Sequence, residues 1–517
     1  MFRIRRPRAV AASLAVVLAV SVGLAGCALF GSAPAVNTVG KSSFTNTLKM
    51  PPLASSTVDA DGTRVFDLTA QSGQTVFRAG GSTTTSGYNG NYLGPTLRAE
   101  LGEKVRVQLH NGLKETTTLH WHGMHLPAIA DGGPHQPVRP GAEVDPAWTI
   151  KQPAATLWYH PHPDGKTEDQ VRAGLAGMFI VDDPAEQALP LPRTYGVDDI
   201  PVIVQDVAFD GNNQLTNRDG GFSGSLGDHL LVDGTLSPHL DVTTDLVRLR
   251  LVNASAARVY NFGFSDDRTF DQIASDGGLL DAPVPMKEVQ LSPGERAEIL
   301  VAMKAGEKVV LRSEKPKLGN TSAFTGTNGG EDRFDVLQLR AAPTLTRQAT
   351  IPTALEHVGR IDPSTATKTR TFTLEGHEIN GEQMEPNRID AVVKLGATEI
   401  WNVTNSMSSP HNFHVHDLQF QIVDINGAAP PPALAGWKDT IYLPPNAKFR
   451  LIMTFADYAD PEHPYMFHCH FLRHEDGGMM GQFIVLQPGQ TLPSRWATKS
   501  GSGGSNDMDG MDMGAGS

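Results

Sequence analysis

Four His-x-His pairs constrain this chain more than any other feature: His120 and His122 in LHWHGMH, His160 and His162 in WYHPHPD, His414 and His416 in NFHVHDL, and His468 and His470 in FHCHF. On a β-strand, side chains at i and i+2 share a face, so each pair presents two imidazoles side by side. One such pair is weak evidence and is more often structural or incidental. Four pairs, two near each end of the chain, are hard to explain as packing, because a charged imidazole is costly to bury. The fold must bring strands from two distant segments together so that eight imidazoles converge on one site.

The stretch YMFHCHFLRHEDGGMM adds a second constraint, because Cys469 stands between His468 and His470. By the same alternation, the two histidines point one way and the thiol the other. The strand then separates two sites, with the histidine cluster on one side and Cys469, His474, His411 and Met479 on the other. One thiolate, two imidazoles and a weak thioether form the ligand set of a blue-copper electron-transfer centre. Structural zinc usually collects several cysteines, so zinc fits poorly. An electron reaching Cys469 has a covalent path through the backbone to His468 and His470, which suits a one-electron site feeding a site that uses several electrons together.

The chain has one other cysteine, Cys27. It follows an arginine-rich start (Arg3, Arg5, Arg6, Arg8) and an apolar run ending in LAGC. This reads as a secretion signal over residues 1–26, and LAGC resembles the lipobox of bacterial lipoproteins. The resemblance implies that Cys27 carries lipid and anchors the protein on the outer side of a membrane, at the cell surface or in the periplasm. An ordinary secreted protein and an uncleaved anchor are the alternatives. Arg5–Arg6 weakly resembles a twin-arginine export signal. The Ser/Gly/Thr/Ala-rich stretch to residue 45 reads as a flexible tether. With Cys27 lipidated, Cys469 has no disulfide partner, and a metal is the natural reason to keep it.

The net charge of −13 makes nucleic acid an unsuitable partner. Short alternating or β-branched stretches, such as EKVRVQLHN, PVIVQDVAF, LVRLRLVNAS and GQFIVLQP, are separated by turn residues. They predict a largely antiparallel all-β protein. The stretches fall into three segments, 46–185, 195–345 and 365–490, of which the first and third echo each other as an internal duplication. A Met/Asp-rich tail follows over 497–517, where Met508, Met511 and Met513 alternate with Asp507, Asp509 and Asp512. It reads either as a copper collector or as a solvated acidic tail.

HWHG, WYHPH, HNFHVH and HCHFLRHEDGGMM, in this order, resemble the four copper motifs of the multicopper oxidases, and the resemblance spans roughly residues 50–490. It implies three consecutive cupredoxin-like Greek-key β-sandwich domains, the middle one without copper. It also implies four copper ions. His411, Cys469 and His474 would hold the type 1 copper with Met479 axial, and His120 and His414 the type 2 copper. His122, His160 and His470 would hold one type 3 copper, and His162, His416 and His468 the other. Asp131 and Glu475 match acids that serve dioxygen reduction in relatives, with ordinary surface charge as the alternative. Two neighbours depart from the pattern: Asn412 stands where the family usually has proline, and Asp417 where it usually has glycine. His110, His125, His135, His229, His239, His357, His377 and His463 read as surface, turn or supporting residues, and Met480 as a core neighbour.

The implied partners are dioxygen and a small reductant. A broad phenolic or aromatic oxidase of laccase type is the first expectation. The second is a metallo-oxidase of Cu(I), Fe(II) or Mn(II) serving metal tolerance, and a non-catalytic copper-binding lipoprotein is third. Asp439 in GWKDT matches a position used by copper-efflux relatives to hold a cuprous substrate, although Ile441 replaces a methionine there. Any reductant is expected to approach His411 or His474.

Overall fold

The computed structural model describes residues 35–218, 221–319, 325–347 and 349–498. The leader, Cys27 and all but the first two residues of the Met/Asp tail (497–517) lie outside them. The alternating stretches form strands, and helix is confined to short pieces such as Thr167–Arg172 and Leu472–Asp476. Three large apolar cores mark three β-sandwiches. Phe66, Trp121 and Phe179 lie in the first core, Val202, Phe262 and Leu339 in the second, and Trp401, Phe467 and Phe483 in the third.

Each sandwich repeats one pairing pattern that the sequence reading did not anticipate. Most ladders are antiparallel, but an early strand of each sandwich runs parallel to a later one: Arg64–Thr75 with Lys104–Asn111, Asp199–Phe209 with Leu246–Asn253, and Lys368–Glu375 with Thr398–Asn405. The facing sheets also contain parallel pairs, Leu97–Glu100 with Gly177–Asp182 in the first and Ala391–Lys394 with Met480–Leu486 in the third. Connections that cross between sheets, rather than hairpins alone, produce this arrangement.

Burial patterns distinguish the strands. Lys104–Asn111 alternates between buried and more exposed residues, as expected with one face in a core and one toward water. Gly177–Asp182 is buried throughout, because Met178 and Ile180 meet Ile203, Val252 and Ala254 of the middle sandwich.

Two boundaries need correction. The stretch read as a tether to residue 45 is ordered from Val36, whose N–H donates to Asp332 at 2.7 Å. Asn46–Thr47 then pairs with Pro238–His239, so the start of segment 46–185 belongs to the middle sandwich. Leu48 fills the middle core and the strand covers an otherwise open edge. At the other end, Ala497–Thr498 pairs with Arg388–Ile389, and Trp496 packs on a small cluster containing Ile484, so the third sandwich extends past residue 490.

Where the first and third sandwiches meet, His125 is held between two carboxylates. Its Nδ1 lies 2.8 Å from Asp417 and its Nε2 3.1 Å from Asp457, which also binds Lys151 at 2.5 Å. Burial disfavours the imidazolium, but Asp417 and Asp457 outweigh it and raise the His125 pKa to about 9. Burial pushes the Asp417 carboxyl up, and His125 pulls it back. Asp457 is held low by Lys151 and His125 and so remains an anion on the far side of the ring. The residue read as bland is therefore a charged clamp. A pKa raised from 6.5 to about 9 corresponds to roughly 3 kcal/mol, fully present below pH 6.5 and lost as pH rises through 9. His125→Gln should lower the thermal midpoint of the metal-free protein clearly at pH 6 and much less at pH 10; an equal loss at both pH values would contradict the clamp.

Candidate metal centres

The cluster is built on two pairs of adjacent strands. His120–His122 lies beside Ala155–His160, with His120 opposite His160, and His411–Val415 lies beside Tyr465–His468, with His414 opposite His468. Only His120 and His122 both lie within a strand; His162, His416 and His470 fall just beyond strand ends. The pairs nevertheless stay on one side. Ring centroids within a pair are 5.9 Å apart for His120 and His122, 6.3 Å for His160 and His162, 5.1 Å for His414 and His416, and 5.5 Å for His468 and His470. All eight imidazoles are buried.

The ring nitrogens divide into inner and outer sets. His468 Nε2 lies 3.2 Å from Nε2 of both His162 and His416, and His160 Nε2 lies 3.4 Å from His470 Nε2. His120 and His414 place Nδ1 2.9 Å from the carbonyl oxygens of Asp131 and Asp439, leaving both Nε2 atoms buried without partners. His122 has the opposite orientation: its Nε2 meets Asp439 at 3.0 Å and Thr440 at 3.1 Å, and its Nδ1 is unpartnered. Such orphaned buried nitrogens are costly unless a metal takes them. Burial, reinforced by neighbouring imidazoles, depresses the pKa values of His122, His160, His162, His416, His468 and His470. Neutral imidazole is the form a metal requires. The donor set fits copper.

On the other face of the HCH segment, Cys469 Sγ lies 3.4 Å from His474 Nδ1 and 3.7 Å from His411 Nδ1, and the two nitrogens are 3.1 Å apart. Met479 is buried beside them, its carbonyl accepting the Cys469 N–H at 3.1 Å. Burial depresses the His411 pKa to about 3 and pushes the Cys469 thiol up to about 12. A thiol this buried ionises when a metal binds it. His411 and His474 are both 0% exposed, which corrects the expectation of direct approach by a reductant. The middle sandwich supplies the cover: the Phe222 carbonyl accepts from His474 Nε2 at 2.8 Å, and the Phe222 ring lies 4.7 Å from that of His474. The His377 ring lies 4.9 Å from that of His474, tilted by 36°. Neither Phe222 nor His377 carried a periodic signal that marked it for this place.

The carboxylates separate by location. Asp131 Oδ2 lies 2.7 Å from His416 Nδ1, and Glu475 lies 3.4 Å from His162 Nδ1 and 3.3 Å from His468 Nδ1. Both acids therefore contact imidazoles from opposite ends of the chain. Burial, with Asp476 nearby, holds the Glu475 carboxyl well above its usual range. Asp439 requires correction as a cuprous-substrate residue. It is 0% exposed, binds His122, and pairs with Arg296 at 2.6 Å, which leaves it no opening to a substrate ion. The Arg296 guanidinium overcomes burial and keeps the Asp439 carboxylate well below the usual range. Asp417, at φ 73°, is held in a left-handed backbone conformation by its bonds to His125 and the Leu126 N–H.

The middle sandwich also supports the cluster directly. At Gly294, φ is +87° and a Cβ would come within 3.0 Å of His122 and 3.2 Å of His470, so only glycine permits this loop to lie on the imidazoles. Arg296, two residues on, anchors Asp439 and thereby His122. Sequence reasoning missed Arg296 because SPGERAEIL reads as an ordinary strand start. Arg296→Met should destabilise the metal-free protein by about 3–5 kcal/mol, because it leaves a buried carboxylate unpaired. Adding Asp439→Leu should restore part of the loss in urea unfolding; no recovery would contradict the ion-pair account.

Models described as "Multicopper oxidase" match residues 69–186 and 351–489. The chain is 36% identical over 450 residues to "Multicopper oxidase mco" of Staphylococcus haemolyticus, covering 85% of this chain and 92% of that protein. It is 35% identical over 445 residues to "Cell division protein FtsP" of Escherichia coli, again over 85% and 92%. Among solved structures, a bacterial laccase-like multi-copper oxidase CueO from Ochrobactrum sp., described as having oxidase activity towards lignin model compounds, is 36% identical with a TM-score of 0.77. That match covers 85% of this chain and 100% of the other. With its three cupredoxin-like β-sandwiches, the chain belongs to the multicopper oxidase family.

Proposed function

We propose that the protein removes single electrons from a small phenolic or aromatic reductant beside Cys469 and delivers four of them to dioxygen at the histidine cluster, consuming four protons and releasing two waters. The observation that carries this reading is the placement of Cys469 beside His411 and His474 while His468 and His470, its chain neighbours, enter the eight-imidazole cluster. Copper ions would supply the one-electron steps and the binding of dioxygen. His411, Cys469, His474 and Met479 would hold one as type 1, and His120 and His414 one as type 2. His122, His160 and His470 would hold the first type 3 ion, and His162, His416 and His468 the second.

The chain's own groups account for the remaining requirements. Cys469 conducts through two backbone links to His468 and His470. Glu475, held in its protonated form by burial, contacts His162 and His468 and can pass a proton toward the cluster, and Asp131 contacts His416 at 2.7 Å. Dioxygen and water approach through a cleft of about 360 Å³ lined by Glu115, Thr118, Pro163 and Lys166. Thr118, one of its lining residues, accepts the His162 N–H at 2.6 Å. Overall similarity does not separate oxidases from FtsP, since both are about equally similar; the complete donor set supports catalysis. Export, lipidation at Cys27 and residence outside the cytoplasm belong to the same proposal.

Phe222 and His377 place aromatic rings over His474, which favours an organic reductant over a bare cation. Copper-loaded protein should oxidise a phenol efficiently and Cu(I) poorly. Saturable Cu(I) turnover with negligible phenol oxidation would make it a metallo-oxidase, and neither activity would leave a copper-binding role.

Proton delivery has its own test. Glu475→Gln and Asp131→Asn should each slow reoxidation of the reduced protein by dioxygen roughly 10²-fold or more, the range of positioned acid groups, while the type 1 site still accepts electrons normally. Unchanged rapid-mixing reoxidation rates in both variants would remove these acids from the mechanism.

A further inference from the structure

The hairpin turn joining Phe270–Ser275 to Gly278–Met286 in the middle sandwich has no part in the scheme above, yet it lies flush on the segment Trp437–Thr440 of the third. The Gly277 N–H donates to the Trp437 carbonyl at 2.9 Å, and Ser275 Oγ donates to the same oxygen at 2.8 Å. A Cβ on Gly277 would come within 2.6 Å of Gln419 Cγ and 2.8 Å of Trp437 Cβ, so this approach requires glycine. Asp276, its neighbour in the turn, is fully buried. Its Oδ1 accepts the Arg296 N–H at 2.8 Å. Its Oδ2 lies 2.8 Å from Lys438 Nζ and accepts the Thr440 and Asp439 N–H groups at 3.3 and 3.4 Å. One carboxylate from the middle sandwich therefore fastens three successive residues of the third.

Two of those residues hold imidazoles. Asp439 Oδ1 lies 3.0 Å from His122 Nε2, and the Asp439 carbonyl lies 2.9 Å from His414 Nδ1. Thr440 Oγ1 stands 3.1 Å from each of the same two nitrogens. The rings of His122 and His414 are stacked, with centroids 3.8 Å apart and planes 9° from parallel, so a shift of one displaces the other. His122 turns Nδ1 inward and His414 turns Nε2 inward, and both inner atoms are without partners. A carbonyl and a hydroxyl can aim two rings this way only while the main chain that carries them is fixed. Asp276 fixes it from behind, and Lys438, between Asp276 and Glu295, supplies the counter-charge.

We propose that Asp276 is a positioning residue of the histidine cluster: its carboxylate holds the main chain at Asp439 and Thr440 and so sets how His122 and His414 face the ions they bind. The proposal rests on the metal-cluster reading of these histidines. The partners of Asp276 are Arg296, Lys438, Asp439 and Thr440, so removing its charge acts on the cluster and spares the Cys469 site.

Asp276→Asn keeps the shape of the side chain and one acceptor oxygen, but sets an NH₂ group among donors. Copper-loaded wild type and variant are dialysed against a graded series of a copper chelator. Total copper is measured by elemental analysis, and the Cys469 site by its visible absorption. In the variant, cluster copper should be lost at a chelator strength about 10- to 100-fold lower, the usual cost of losing a group that orients a metal ligand, while the visible absorption holds as in the wild type. A variant carrying both Asp276→Asn and Lys438→Gln, which removes one buried charge of each sign, should show the same selective loss and serves where the single variant does not fold. Wild-type retention of cluster copper, or equal loss from both sites, would overturn the proposal. A wild type that takes up copper only at Cys469 would instead remove the cluster reading itself, so the two failures are distinguishable.

Discussion

Eight buried imidazoles can share a dry interface only if their inward nitrogens bind metal and buried groups orient the rings from outside. The rest of the structure follows from this requirement. The outer partners include the carbonyls of Asp131, Asp439, Pro161 and Cys469 and the buried carboxylates of Asp131, Asp439 and Glu475. A buried carboxylate needs its own counter-charge. Arg296 supplies it for Asp439, and a linked network of Lys438, Asp276 and Glu295 continues below. The middle sandwich bears no His-x-His pair, yet it is structurally part of the site: Gly294 lies on the rings, Arg296 holds their anchor, and Phe222 covers His474.

Much of the site was legible in the sequence because its logic is local. The period of two in a strand is enough to put His468 and His470 on one side and Cys469 on the other, even though the strand itself ends at His468. The three-sandwich class was legible from short β-branched runs separated by turns. Partners chosen by packing between distant segments were not. Asp439 and Arg296 are 143 residues apart, and nothing in GWKDT signals that its carboxylate points inward. The same applies to His125, whose two carboxylates come from the third sandwich, and to His377, which looks like a turn residue until its ring contact with His474 is known. The described end of the tether differs for a related reason, because Ser- and Gly-rich composition does not reveal that Phe44 will be buried.

The two departures from the family motifs have physical roles. At Asp417 a left-handed backbone position normally suited to glycine is occupied by aspartate, and the strain is offset by a charged bond to His125 across the sandwich interface. At Asn412 the side-chain amide accepts the His470 N–H and donates to the Pro293 carbonyl, bonds a proline could not make. Both lie one residue from a histidine of the candidate metal sites, where a hydrogen bond to a neighbouring segment fixes how that histidine is held.

The central claim is that the Cys469 site and the histidine cluster act as one four-electron unit. Anaerobically reduced, copper-loaded protein titrated with dioxygen tests it most directly. The account predicts that one dioxygen reoxidises four one-electron equivalents, that the visible absorption of the Cys469 site returns in step with the cluster, and that no hydrogen peroxide is released. Reoxidation of only two equivalents per dioxygen with peroxide as product, or return of the cluster while the Cys469 site stays reduced, would contradict it.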